Sequence, residues 1–185
     1  MKNTRFVAVA ALVLIAALSR LLPHPPNMTA VGAMALFGGA YLSNRYFAVI
    51  LPLIALFLSD LILNNVVYAA FNNGQFVWFY EGAIWVYAAV ALTALLGLSL
   101  QKKVNSKSVF MASMACSIVF FLMSNFGTWQ SGAMGYPKNM TGLLTCYAAG
   151  LPYFLNSLIG DLAFAALLFG GFEWAQKRFT ALKWA

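Results

Sequence analysis

Residues 46–70 read YFAVILPLIALFLSDLILNNVVYAA, with Asp60 as the one charged side chain. As a helix rising about 1.5 Å per residue, this run is roughly 37 Å long, enough to cross the ~30 Å hydrocarbon core of a bilayer. A surface helix of a soluble protein shows a polar face, but from Phe47 to Leu58 no polar side chain appears at all. The stretch reads as a membrane-spanning helix, and it sets the class of the whole chain.

Composition agrees. The 185 residues are 63% hydrophobic and 8% charged, with a mean hydropathy of +0.82. Soluble domains carry about 25% charged residues, so a water-soluble fold is excluded and one compact membrane domain over residues 1–185 is expected. The formal net charge of +7 does not point to nucleic acid, because there is no basic stripe interleaved with aromatics. The positive residues sit in short loops between apolar runs, where they set topology. Cys116 and Cys146 lie in apolar surroundings and form no metal-type pair, so neither a disulfide nor a redox compartment follows. One histidine and no cysteine cluster argue against haem or zinc, and no cofactor is expected.

Outward from 46–70, six spans are expected, at about 6–22, 28–42, 46–70, 79–100, 108–128 and 154–176. This makes an all-α integral membrane protein. Lys2 and Arg5 before Phe6–Leu18 resemble a signal peptide, but Arg20 directly after Ala17-Leu18-Ser19 is a poor cleavage context. The segment is read as a retained first span. Residues 143–176 are too long for one perpendicular span and too short for two. Gly150, Pro152 and Asn156 interrupt them, so a short or partly inserted helix over 143–151 is expected before the sixth span.

A cytoplasmic N-terminus puts Lys2, Arg5, Arg45, Lys102, Lys103, Lys107, Lys177, Arg178 and Lys183 inside and leaves Arg20 and Lys138 outside. That imbalance follows the positive-inside rule, so both termini are expected in the cytoplasm of a multi-pass protein of the bacterial inner membrane.

The loops expected outside carry a repeated motif. Pro25-Pro26-Asn27-Met28-Thr29-Ala30 returns as Pro137-Lys138-Asn139-Met140-Thr141-Gly142. A residue before proline prefers extended backbone, and Asn or Thr caps a following helix. Two reused helix caps are one reading. The other is a pair of loops, with Asn27, Thr29, Asn139 and Thr141, framing one polar site. Asn offers donors and acceptors without a charge to desolvate.

The acids are Asp60, Glu81, Asp161 and Glu173. An acid within a span is costly and faces the bundle interior or water. Asp60 is expected about 15 Å below the outer end of its helix, with Asn64 at i+4 on the same face. Glu81 begins the fourth span, and Asp161 lies one turn below Ser157. Glu173, near Lys177, reads as structural. The other three act either as helix-to-helix hydrogen-bonding groups or as parts of a polar site open to the outside. Trp78, Tyr80, Trp129, Tyr136 and Tyr147 ring that face as an interfacial belt or as ring-stacking surfaces. His24 is flanked by prolines and reads as a loop residue or a ligand contact. Small residues four apart (Ala89, Thr93 and Gly97; Ala35 and Gly39; Ala166 and Gly170) suit close helix packing. Metalloprotease, serine-hydrolase and P-loop motifs are absent, so no enzyme is expected.

Leu22-Pro23-His24-Pro25-Pro26-Asn27-Met28-Thr29-Ala30-Val31-Gly32-Ala33, Phe126-Gly127-Thr128-Trp129 and Asn156-Ser157-Leu158-Ile159-Gly160-Asp161-Leu162 resemble a family of six-span bacterial membrane proteins related to the vitamin-binding S components of energy-coupling factor (ECF) transporters. The resemblance implies an ECF S component-like bundle that captures a small water-soluble, vitamin-like molecule between its outer loops. It also implies a coupling subunit and ATPases as partners. The first span departs from the docking pattern, since Ala8, Ala10, Ala11, Ala16 and Ala17 contain no Ala-x-x-x-Ala. A carrier working alone, with Asp60 and Asp161 as proton sites, is the second expectation. A structural membrane protein without a ligand is the third.

Overall fold

The computed structural model describes residues 2–72, 74–101 and 104–182. Lys102, Lys103 and Lys183 of the topology argument, and Asn73 of the third loop, lie outside the described residues. Among the described residues the fold is all-helical: α1 (Lys2–Leu18), α2 (Val31–Tyr41), α3 (Arg45–Ile62), α4 (Ala83–Leu100), α5 (Ser106–Ser131) and α6 (Met140–Arg178). A 3-10 turn, Ser19–Leu21, extends α1, and a π-helical turn, Leu63–Val67, extends α3.

Five of these segments are long and apolar enough to cross a membrane: Thr4–Leu21, Arg45–Val67, Ala83–Leu100, Ser106–Ser131 and Met140–Arg178. Their outer faces are apolar too. Ile15 is 63% exposed, Ile84 76% and Leu167 69%, a surface suited to lipid and not to water. The architecture is that of a multi-pass membrane protein.

The sixth helix, α2, is different. At 11 residues it is about 16 Å long, half a hydrocarbon core, and every one of its residues is buried. The second span, expected over 28–42, is therefore helical only over Val31–Tyr41. The reason lies ahead of it. Pro25 to Met28 form a turn closed by the Met28 amide donating to the Pro25 carbonyl (3.0 Å), with Asn27 in the left-handed region at φ 63°, which Asn tolerates better than most residues. Residues 22–30 thus run as irregular chain against α6. Asn156 Nδ2 donates to the Pro26 carbonyl (2.9 Å) and Ser157 Oγ to that of Asn27 (3.3 Å). Irregular backbone within an apolar bundle needs such partners.

Close approach of α2 to α4 comes from the small residues. A Cβ at Gly39 would meet Gly97 Cα at 2.8 Å, and one at Gly97 would meet Gly39 Cα at 2.9 Å. Gly170, by contrast, faces open space, so the Ala166–Gly170 pair does not serve such packing. At the far end of α2, Gln101 Nε2 caps the carbonyls of Gly39 (2.9 Å) and Leu42 (2.8 Å). Phe37 and Tyr41 pack into Phe169 and Phe172 of α6, and the Tyr41 hydroxyl donates to Glu173.

The interruption expected near residue 150 is absent. α6 runs unbroken through Gly150, Pro152 and Asn156. Packing on α5 overrides the local breakers: Gly150 lies against the Asn125 side chain, Tyr147 Oη donates to the Leu122 carbonyl (2.8 Å), and Phe154 packs on Phe121 at 5.1 Å.

Candidate functional site

At the end of the bundle where α1 stops and α2 and α4 begin, a half-open cavity of about 400 Å³ is enclosed. Arg20, Asn27, Thr29 and Tyr80 contribute one side. Phe120, Phe121, Ser124, Asn125 and Thr128 of α5 and Cys146 to Asp161 of α6 contribute the other. Met134 and Tyr136, from the loop joining α5 to α6, also line it. That loop is pinned at both ends. Gly132 ends α5 in the left-handed region (φ 81°), Lys138 Nζ donates to the Trp129 and Gln130 carbonyls, and Trp129 Nε1 donates to the Pro137 carbonyl (2.8 Å).

Asp161 is buried at the wall of the cavity. Its Oδ2 accepts from Ser117 Oγ at 2.6 Å, and the Gly32 and Ala33 backbone amides hydrogen-bond to it. The residue preceding α2, Ala30, supplies no side-chain cap. Asp161 therefore does from another helix what an N-cap side chain does locally: it satisfies orphan amides and faces the positive end of the helix dipole.

Asp60 is held differently. Arg20 Nη1 donates to Asp60 Oδ1 (2.7 Å) and to Ser59 Oγ (2.6 Å), and Tyr87 Oη donates to Asp60 Oδ2 (3.0 Å). Asp60 is buried and Arg20 largely so, with side chains 4% and 15% exposed. Asp60 thus backs Arg20, which itself reaches the cavity. Asn64 falls in the π-helical turn, which changes the angular spacing, so i+4 from Asp60 no longer shares its face. Its carbonyl accepts from Asn72 Nδ2 (2.8 Å), and its own Nδ2 is buried without a partner.

Of the expected site residues, the cavity brings together Asn27, Thr29, Tyr80 and Asp161, with Asp60 behind Arg20. It does not include His24, Asn64, Trp78, Glu81, Trp129, Asn139, Thr141 or Tyr147. The two Asn-Met-Thr copies differ in structure. Asn139 is exposed and caps α6, its Oδ1 accepting from the Gly142 amide at 2.9 Å. The Thr141 carbonyl accepts from Thr145 Oγ1 (2.8 Å). His24 is exposed, its ring nitrogens beside the Pro25 and Arg20 carbonyls. Glu81 is exposed, and Trp78 is exposed and packs on Phe76.

In the sequence, Arg20 reads only as a topology marker. A cation one turn beyond an apolar run could have signalled an ion pair with Asp60. No comparable signal marks Phe120, Phe121, Ser124 or Phe154, which read as ordinary span residues.

A family model matches residues 1–182 of the chain. The chain belongs to DUF6580, described as a family of unknown function. No curated protein and no solved structure matches. Membership in DUF6580 therefore brings no substrate with it, and the chemistry of the cavity carries the functional argument.

Proposed function

We propose that this protein is a membrane-embedded binding and uptake protein of the bacterial inner membrane. It captures a small, water-soluble, vitamin-like molecule from the outer face, as an ECF-type S component does. The single observation behind this reading is the cavity, about 400 Å³, within the range of small-molecule sites. It joins aromatic walls to a few convergent polar groups at one end of the bundle.

The reading includes six crossings with both termini cytoplasmic, α2 and the irregular segment 22–30 together making the second. The cation distribution supports that orientation. Arg5, Arg45, Lys107, Lys177 and Arg178 lie at the helix ends away from the cavity, whereas Arg20 and Lys138 lie beside it. With positive charge retained inside, the cavity opens outward. In the coupled version, partner subunits hydrolyse ATP to drive inward release. The lack of Ala-x-x-x-Ala in α1 favours a second version, a carrier working alone on the proton gradient with Asp60 and Asp161 as proton sites.

The test is mass spectrometry of small molecules extracted from the purified protein and from Ala149→Trp. Ala149 lines the cavity and is exposed, so an indole there fills space without disturbing the core. A molecule present in the wild type and lost in Ala149→Trp supports the reading. Equal extracts from the two proteins refute it. Uptake by proteoliposomes lacking any ATPase separates the lone carrier from the coupled one.

A further inference from the structure

The charges at the cavity wall are already spent. Arg20 is ion-paired with Asp60 through Nη1, which also donates to Ser59, and its Nε is buried. Asp161 is taken by Ser117 and by the start of α2. The groups left over are neutral. Among the described residues, no protein partner engages the hydroxyls of Thr29, Tyr80, Tyr136 and Tyr153 or the Asn27 side-chain amide, all of which line the cavity. Phe121 and Phe154 form an apolar wall beside them.

Building on the reading of this cavity as a binding site, we propose that its occupant is an uncharged planar heterocycle, bound by its ring on Phe121 and Phe154 and by its polar edge on Asn27 and the tyrosines. The physical reason is desolvation. An ion entering the cavity must find a counter-charge free to pair with it, whereas Arg20 is already paired with Asp60 and Asp161 already accepts from Ser117 and the start of α2. An Asn amide offers a donor and an acceptor side by side, which suits a ring edge carrying adjacent C=O and N–H groups. Aromatic faces favour offset or edge-on ring packing.

The experiment uses the full chain in detergent and three probes sharing one ring: nicotinamide (neutral), nicotinate (anion) and 1-methylnicotinamide (cation). Binding is read by saturation-transfer NMR on wild type, Ala149→Trp and Asn27→Gly; the glycine removes the amide and keeps the left-handed backbone. The occupant extracted from wild type is also identified and its charge near neutral pH determined.

The proposal expects a neutral ring compound as occupant. It also expects nicotinamide to bind about tenfold or more tightly than either ion, in keeping with the cost of an uncompensated charge, with binding weakened in both variants. An occupant that is ionised, or an ion bound as well as the amide and displaced by Ala149→Trp, overturns the neutral class while leaving the site intact. Extracts that do not differ between wild type and Ala149→Trp, together with no bound probe, overturn the site itself and this inference with it.

Discussion

Gly32 and Asp161 meet where α2 begins: a Cβ on Gly32 would lie 2.7 Å from the Asp161 carboxyl carbon. The contact ties the buried central helix to the last one. Gly32→Ala should force the two apart and cost roughly 1–3 kcal/mol, as overpacking does. Asp161→Ser shortens the opposing side chain and retains an oxygen acceptor. The double variant should therefore recover part of the loss, a non-additivity expected of residues in contact. Thermal unfolding in detergent measures it. A neutral Gly32→Ala would refute the contact.

The Arg20–Asp60 pair gives a second prediction. Asp60→Asn leaves a buried guanidinium without its counter-charge, which costs about 3–5 kcal/mol in buried pairs. Arg20→Gln strands the carboxylate at a similar cost. Combined, the two should be much less damaging than the sum, because no unpaired charge remains. Folded yield and unfolding temperature report this. Simple additivity would show that the pair is not coupled.

The two Asn-Met-Thr copies should separate in their effects. Asn139→Ala removes a helix cap and should cost ~1 kcal/mol of stability with no change in the extracted occupant. Asn27→Gly should keep stability, since Gly adopts positive φ freely, and should reduce occupancy. The effects should add, in contrast to the coupling expected of two residues sharing one ligand. Loss of the occupant in Asn139→Ala at unchanged stability would restore the shared site.

Orientation is checked by cysteine labelling from outside intact cells, in a background lacking Cys116 and Cys146. Cysteines at Gly74 and Lys138 should react with an impermeant maleimide, and one at Asn105 should not. The reverse pattern would invert the proposed topology and turn the cavity towards the cytoplasm.

Membrane class and most helix positions were legible in the sequence, because a bilayer demands long apolar helices whatever the tertiary fold. The run 46–70 alone shows it, and the ends of α4 and α5 fall within a few residues of the expected spans. Where local and long-range forces compete, the sequence misleads. Gly150, Pro152 and Asn156 look like a break, yet contacts with α5 carry the helix through. The segment 28–42 looks like a short span, yet only the 11 residues of α2 within it are helical, since Asn156 and Ser157 satisfy an irregular backbone ahead of it.

The site divides the same way. Composition and spacing could mark Asn27, Thr29, Tyr80 and Asp161 as polar groups where polarity is costly. They could not say which groups were already satisfied. Asp161 is spent on amides of a helix about 130 positions away in the chain, Asp60 on an arginine forty positions before it, and Asn139 on its own helix end. Hydrogen-bond partners are set by three-dimensional proximity, which residue spacing encodes only within a single helix. The sequence by itself therefore determined which groups are costly to bury, and the tertiary structure decided which of them remain free to bind.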